Sequence, residues 1–195
     1  MPELYIIAGP NGAGKTTASF TLLPQILGCR EFVNADEIAR GISPFNPESV
    51  AFEAGRIMLR RIEHLMQTHH TFAFETTLST RSYVELINRC KEKNYKTILI
   101  FLWLDSPELA IERVLSRVKK GGHNIREDVI KRRYRKGLEN FVNLFMPLCD
   151  EWMVADNSSS TPKIIAKGIG SKTELIMEQN TWNKILNYGN AGKQG

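Results

Sequence analysis

The chain has 195 residues, 42% of them hydrophobic and 24% charged, with a formal net charge of +5. These are the proportions of an ordinary globular protein and exclude disorder on a large scale, and no apolar run approaches the roughly 20 residues of a membrane-spanning helix. Cys29, Cys90 and Cys149 are odd in number and far apart, which argues against a disulfide framework or a C-x-x-C metal or redox pair. The first residues lead directly into a predicted strand with no charged-then-apolar leader, so the cytoplasm is the expected location.

Residues 4–8 form a short apolar, β-rich run, the first predicted strand. Gly9, Pro10, Asn11, Gly12, Ala13, Gly14, Lys15, Thr16 and Thr17 then fit the pattern G-x-x-x-x-G-K-[ST]. Glycines let such a loop turn tightly, so that its N–H groups converge on phosphate oxygens at the start of the following helix. Lys15 is placed to reach the β and γ phosphates, and the Thr16 hydroxyl to complete a Mg²⁺ shell. The helix is expected over 18–23, ending at Pro24. Strand, loop and helix together predict a nucleoside triphosphate site, with ATP as ligand.

Residues 31–34 make a second strand that places Asp36 at its tip. Asn46 and Pro47 open an amphipathic helix that runs to about residue 65, and 72–74 form a third strand delivering Glu75, Thr76 and Thr77. A helix carrying Tyr83, Val84, Ile87 and Cys90 follows. The almost continuously apolar run 97–104 reads as a central parallel strand, ending at Asp105. Ser106 and Pro107 cap a helix that Gly121 and Gly122 stop, and Asn124 with Glu127 resembles a capping box for the next, which runs towards Phe145 and Pro147. A fifth strand covers 151–155. Beyond residue 160, a strand or hairpin near 163–166 and a short helix over 178–186 complete the chain, with 189–195 expected to fray.

Alternating strands and helices imply an α/β fold of the P-loop NTPase, kinase-like type: a three-layer sandwich around a five-stranded parallel sheet. The chain reads as one domain, with a lid at about 113–133 and a C-terminal extension at about 160–195. Ligands of such sheets bind at the carboxyl ends of the strands, so the polar residues there are the candidate chemistry. Asp36 is suited to orient and deprotonate an attacking hydroxyl, or else it caps the helix after it. Glu75 and Thr76 can hold substrate hydroxyls, Glu75 can instead bind Mg²⁺ through water, and an N-cap role is the alternative. Asp105 stands where a Walker-B carboxylate would, though a capping role is equally open.

Between Arg113 and Lys136 ten basic residues face two acids, a local charge of +8 that leaves −3 for the remainder. Beside a phosphate loop this stripe serves a triphosphate more simply than a polynucleotide, so nucleic acid is not the expected partner. Arg117 and Arg133 are the leading candidates to neutralise a γ-phosphate, ahead of Arg113, Arg126 and Arg132. His123 has no orienting partner in the sequence. The cysteines and histidines show no metal-ligand spacing, so any metal is Mg²⁺ carried with the nucleotide.

The phosphate loop, the segments 32–36, 72–77 and 156–158, and Gly121-Gly122-His123 together resemble the zeta-toxin family of P-loop kinases, in particular its short branch of predicted ATPases and kinases. That resemblance implies γ-phosphate transfer from ATP with Mg²⁺ to a sugar hydroxyl, the better-known toxins acting on UDP-N-acetylglucosamine. It implies Asp36 as the base, Lys15 with lid arginines on the γ-phosphate, Glu75 and Thr76 near a small-molecule acceptor, and an antitoxin protein able to block the nucleotide site. A related phosphotransferase acting on an antibiotic, a nucleoside or an RNA end, and a nucleotide-binding interaction module, are the rival expectations.

Overall fold

The computed structural model describes residues 1–119, 121–122 and 124–190; Lys120, His123 and the segment 191–195 lie outside the described residues. In chain order the elements are β1 (Glu3–Ala8), α1 (Lys15–Gln25), β2 (Glu31–Val33), α2 (Ala35–Ile42), a 3₁₀ turn (Pro47–Val50), α3 (Ala51–Gln67), β3 (Phe72–Thr76) and α4 (Tyr83–Glu92). Then come β4 (Lys96–Trp103), α5 (Pro107–Lys119), α6 (Glu127–Asn140), a π turn (Phe141–Phe145), α7 (Met146–Leu148), β5 (Glu151–Asp156), β6 (Lys163–Ile169), β7 (Lys172–Ile176) and α8 (Gln179–Asn190).

The described strands form one seven-stranded sheet in the order β2-β3-β1-β4-β5-β6-β7. The five strands expected from the sequence are the parallel ones, and β6 and β7 extend the sheet as an antiparallel hairpin, so the expected count was two short. Only β1 and its neighbours show the near-complete burial that a central parallel strand implies: Leu4, Ile6, Phe72, Phe74, Leu99 and Phe101 are wholly buried. The far side is closed by aromatics. Trp152 of β5 stacks on Trp182 of α8 at 5.4 Å, and Gly168 of β6 has no side chain because a Cβ there would lie 2.2 Å from the Trp152 ring.

Two expected boundaries move, each for a local reason. Helix α1 starts at Lys15, directly after the loop, and passes through Pro24 to Gln25, because in the last turn the missing N–H forfeits only one bond. The capping box at Asn124 is not formed. Arg126 occupies the N-cap position in an extended conformation, leaving Asn124 too far upstream to reach the free amides, and the Arg126 side chain turns to Asp128 at 3.0 Å. The end of α5 does follow expectation: Gly121 (φ +84°) donates to the Val118 carbonyl and Gly122 to that of Arg117, each at 2.9 Å, the paired bonds of a glycine C-cap.

At the end of the sheet away from the phosphate loop, Asp150 ties β4 to β5. One carboxylate oxygen accepts the N–H and the hydroxyl of buried Thr97, both at 2.8 Å, and the other pairs with Lys91 at 2.9 Å. Partial burial pushes the Asp150 carboxyl up, but the bonds from Thr97 and Lys91 outweigh it and hold the group below its ordinary value. A lowered carboxyl stabilises the fold above its unfolded-state pKa, and the contribution is lost as pH falls through the folded value. Asp150→Asn is therefore expected to cost about 1.5 kcal/mol at pH 7. Urea unfolding of both proteins at pH 7 and pH 3 should show that gap narrowing in acid; a gap of equal size at both would remove the charge from the account.

Candidate active site

The phosphate loop is held between strands and a helix that leave no space for side chains. Gly9, Gly12 and Gly14 have φ of +143°, +77° and +75°, and a Cβ would lie 2.2 Å from the Leu102 carbonyl oxygen at Gly9 and 2.9 Å from the Ala110 carbonyl oxygen at Gly12. The loop thus packs on β4 and α5 through bare backbone, with its amides at the start of α1, a geometry that fits a polyphosphate. Lys15 folds back over this loop and donates to the Pro10 carbonyl at 2.9 Å. Burial pushes its ammonium down, opposed by the carboxylates of Glu75 and Asp36.

Glu75 joins three elements. Strand register sets it level with Ile7, and Thr76 with Ala8, the last residue before the loop. One Glu75 oxygen accepts the Thr16 hydroxyl at 2.7 Å and the Asn34 amide at 2.8 Å, while the other lies 3.6 Å from Lys15 Nζ. Thr16, the expected Mg²⁺ ligand, therefore has a carboxylate beside it, and Thr16 with Glu75 is the pair fitted to hold a nucleotide-borne cation.

The alternative role for Asp36, capping its own helix, belongs to Asn34. Helix α2 begins at Ala35, and Asn34 Oδ1 accepts the N–H groups of Asp36 at 2.8 Å and Glu37 at 3.3 Å. Asp36 keeps an exposed carboxylate in the first turn. An asparagine just before a helical run is a recognised cap signal, so this assignment was available in the sequence and was missed.

A cleft of about 710 Å³ runs along the loop, between Thr16, Arg40, Glu75, Arg117 and Gly122. Two smaller compartments, of about 290 and 500 Å³, adjoin it, and Asp36 and Arg133 line both; the smaller shares Lys15 and Glu75 with the cleft, the larger Arg40 and Arg117. Thr76 and Asn11 belong to the smaller one. Lys15 and Glu75 line both it and the main cleft, so the two spaces meet at these side chains.

The lid arginines divide by what already holds them. Arg113 donates to the carbonyls of Asn157 at 2.7 Å and Ser158 at 2.8 Å, which makes it a tie between α5 and the end of β5. Arg126 is engaged by Asp128, and Arg132 and Arg135 are exposed. Arg117 and Arg133 are half-buried in the linings of these spaces, Arg117 along the main cleft and the larger compartment and Arg133 in both compartments that Asp36 lines. Asp105 faces away: its carboxylate meets Lys184 of α8 at 3.2 Å, and the cap of α5 is the Ser106 hydroxyl, which accepts the Leu109 N–H at 3.1 Å. The Walker-B reading of Asp105 is thus replaced by a surface ion pair.

Asn157 had no assigned role in the sequence. Its side-chain amide donates to the Ala13 carbonyl at 2.7 Å, and a Cβ on Gly14 would lie 2.9 Å from the same nitrogen. Asn157 thereby turns a loop carbonyl outward, while Arg113 fixes Asn157 from behind.

The zeta toxin family profile matches residues 1–162. This chain belongs to the zeta toxin family. An uncharacterized protein of Haemophilus influenzae is 34% identical over 128 residues, 65% of this chain and 88% of that protein. Among solved structures, the AvrRxo1-ORF1:AvrRxo1-ORF2 complex, also determined with ATP, superposes with a TM-score of 0.72 at 18% identity. The match covers 95% of this chain and 63% of that one, so the present chain spans less than two thirds of that protein. The PezAT toxin–antitoxin system of Streptococcus pneumoniae gives 0.67 at 15% identity, covering 100% of this chain and 88% of that one. The shared architecture is the P-loop kinase fold.

Removing the Asn157 amide should loosen the phosphate loop. Asn157→Ala is expected to weaken binding of a fluorescent ATP analogue by about fivefold, the scale of one lost hydrogen bond. Equal affinities in wild type and variant would show that the loop keeps its shape without this tie.

Proposed function

We propose that this zeta-family protein is an ATP-dependent kinase that transfers the γ-phosphoryl group to a sugar hydroxyl of a small molecule, with Asp36 as general base. The observation that carries this reading is the placement of Asp36. The phosphate loop lines one cleft, Asp36 lines two compartments that adjoin it, and Asn34 relieves Asp36 of any capping duty.

Bound ATP with Mg²⁺ supplies the phosphoryl group, which passes to the acceptor oxygen as ADP leaves. Amides of residues 12–16 and the Lys15 ammonium bind the phosphates, and Lys15 is oriented for this by the Pro10 carbonyl. The Thr16 hydroxyl and Glu75 would hold the cation that the nucleotide carries. Asp36 accepts the acceptor's hydroxyl proton at a carboxylate oxygen and aims the nucleophile. Arg117 and Arg133 neutralise charge that builds up on the transferred group, where fixed guanidinium groups need no reorganisation.

The family resemblance puts UDP-N-acetylglucosamine first among named acceptors to be assayed. An antitoxin protein closing over the main cleft is the partner the likeness to the PezAT system suggests, and the cytoplasm is the proposed site of action. No described helix is long and apolar enough to cross a membrane.

Asp36→Asn is expected to bind ATP as well as wild type and to lower phosphoryl transfer by a hundredfold or more, the usual scale for a general base. Since Asn34 carries the cap, its thermal stability should be unchanged. Retention of transfer with a lowered melting temperature would reverse both assignments.

Arg117→Ala and Arg133→Ala are each expected to slow transfer by about ten- to a thousandfold with ADP affinity nearly constant, as for other phosphoryl-transfer arginines. Exposed Arg135→Ala serves as the control. Should Arg135 be the damaging position and the other two neutral, the lid helix would be working from its opposite face.

A further inference from the structure

The smaller compartment beside Asp36 contains polar groups that the protein itself leaves unsatisfied. Asn11 is part of the phosphate loop, yet its side chain lines this compartment and not the main cleft, and its Oδ1 is buried without a hydrogen-bond partner. In the same lining, Tyr83 at the start of α4 packs its ring on Phe74 at 4.7 Å, and its hydroxyl makes no hydrogen bond among the described residues. Burial pushes the Tyr83 phenol up, so it stays a neutral donor and acceptor. Buried polar atoms in folded proteins are almost always paired, so the open Asn11 oxygen marks a place where a ligand's own group binds, and the Tyr83 hydroxyl offers a second partner in the same lining.

The walls specify that ligand further. They are hydroxyl-rich: Thr76, Thr77, Ser79, Thr80 and Ser82 all contribute. This loop is rigidly seated, because Gly137 of α6 meets the Thr77 carbonyl where a Cβ would lie 2.5 Å away, and Asn140 donates to the Leu78 carbonyl at 2.7 Å. The charged residues that line the compartment, Lys15, Arg133, Asp36 and Glu75, cancel in formal charge. Its volume of about 290 Å³ is the smallest of the three spaces around Asp36 and Lys15 and has room for a single sugar ring. A nucleotide-linked sugar would have to continue past Asp36 into the neighbouring compartment, carrying a diphosphate. Two of the guanidinium groups there, Arg40 and Arg126, are already held by Glu37 at 2.8 Å and Asp128 at 3.0 Å.

We infer that the acceptor is a free, uncharged polyol of monosaccharide size, seated between Asn11 and Tyr83, and that these two residues set its specificity. The inference rests on the kinase reading above and narrows it: the hydroxyl presented to Asp36 belongs to a molecule with no nucleotide attached. The O–H bond breaks, the oxygen bonds the γ-phosphorus, and the proton goes to Asp36.

The test uses the full chain with γ-labelled ATP, Mg²⁺ and a soluble metabolite extract supplemented with free hexoses, pentoses, alditols and UDP-N-acetylglucosamine, with products identified by mass. The expected product is a monophosphorylated free polyol. Tyr83→Phe, which keeps the ring on Phe74, should then raise the KM for that acceptor about tenfold, and Asn11→Ala should do so as well. The KM for ATP and the melting temperature of Tyr83→Phe should stay at their wild-type values. A labelled nucleotide sugar or RNA end as the sole product would overturn the inference while leaving the kinase reading intact, as would an acceptor KM indifferent to Tyr83→Phe. Absence of any phosphorylated product, with ATP turnover unaltered in Asp36→Asn, would overturn both.

Discussion

The site depends on one nearly buried carboxylate. Glu75 receives Thr16 from α1 and Asn34 from the end of β2, and it faces Lys15 from the phosphate loop. Each of these groups is polar and lies in a region where water is largely excluded, so any of them left unpaired would cost more than its bond returns in water. The geometry follows from this shared satisfaction. Asn34 spends its amide nitrogen on Glu75 and its oxygen on two helix amides, so the direction in which α2 leaves the sheet is fixed by the same residue that fixes Glu75. The exposed carboxylate two residues along, Asp36, inherits its position from that arrangement.

A second tie acts on the nucleotide side. Asn157 and Arg113 connect β5, the phosphate loop and the first half of α5 through three short hydrogen bonds, and Gly12 lets the loop lie against Ala110 of the same helix. The first half of α5 therefore moves with the phosphate loop. Past that half, the Gly121–Gly122 cap folds back so closely that a Cβ on Gly122 would lie 2.5 Å from the Arg117 side chain. The basic stripe seen in the sequence is thus two populations: an anchored arginine at one end and, past the glycine cap, side chains that reach the Asp36 compartments.

Much of this was legible before any coordinates. The phosphate loop, the order of strands and helices and the residues at strand tips are set by local rules of turn chemistry and by hydrophobic runs, which a sequence displays directly. Asp36, Glu75, Arg117 and Arg133 were singled out from such rules, and the fold does bring them around Lys15. Their chemical roles are proposals still. The failures share a different cause. Asp105 and Arg113 carry the right charge at the right strand or helix, but their partners, Lys184 and the carbonyls of Asn157 and Ser158, lie 79, 44 and 45 residues away. Asn157, Tyr83 and the orientation of Asn11 likewise depend on which elements are neighbours across the sheet. The antiparallel hairpin was only half visible, because β7 is largely exposed and lacks the apolar alternation that betrays a buried strand.

The meeting of the main cleft and the smaller compartment at Lys15 and Glu75 also bears on how an acceptor would compete with water. The compartment that Asp36 lines carries side chains that hydrogen-bond to one another, Thr77 with Ser79 at 2.9 Å and Thr80 with Ser82 at 2.8 Å. Water there meets partners already engaged, whereas a ligand that satisfies Asn11 and Tyr83 at fixed positions is held as a single oriented nucleophile. Orientation of this kind is worth many powers of ten in effective concentration. Selection between acceptor and water then needs no special repulsion of water. Under the proposal above it follows from Asn11 and Tyr83 lining one compartment together with Asp36.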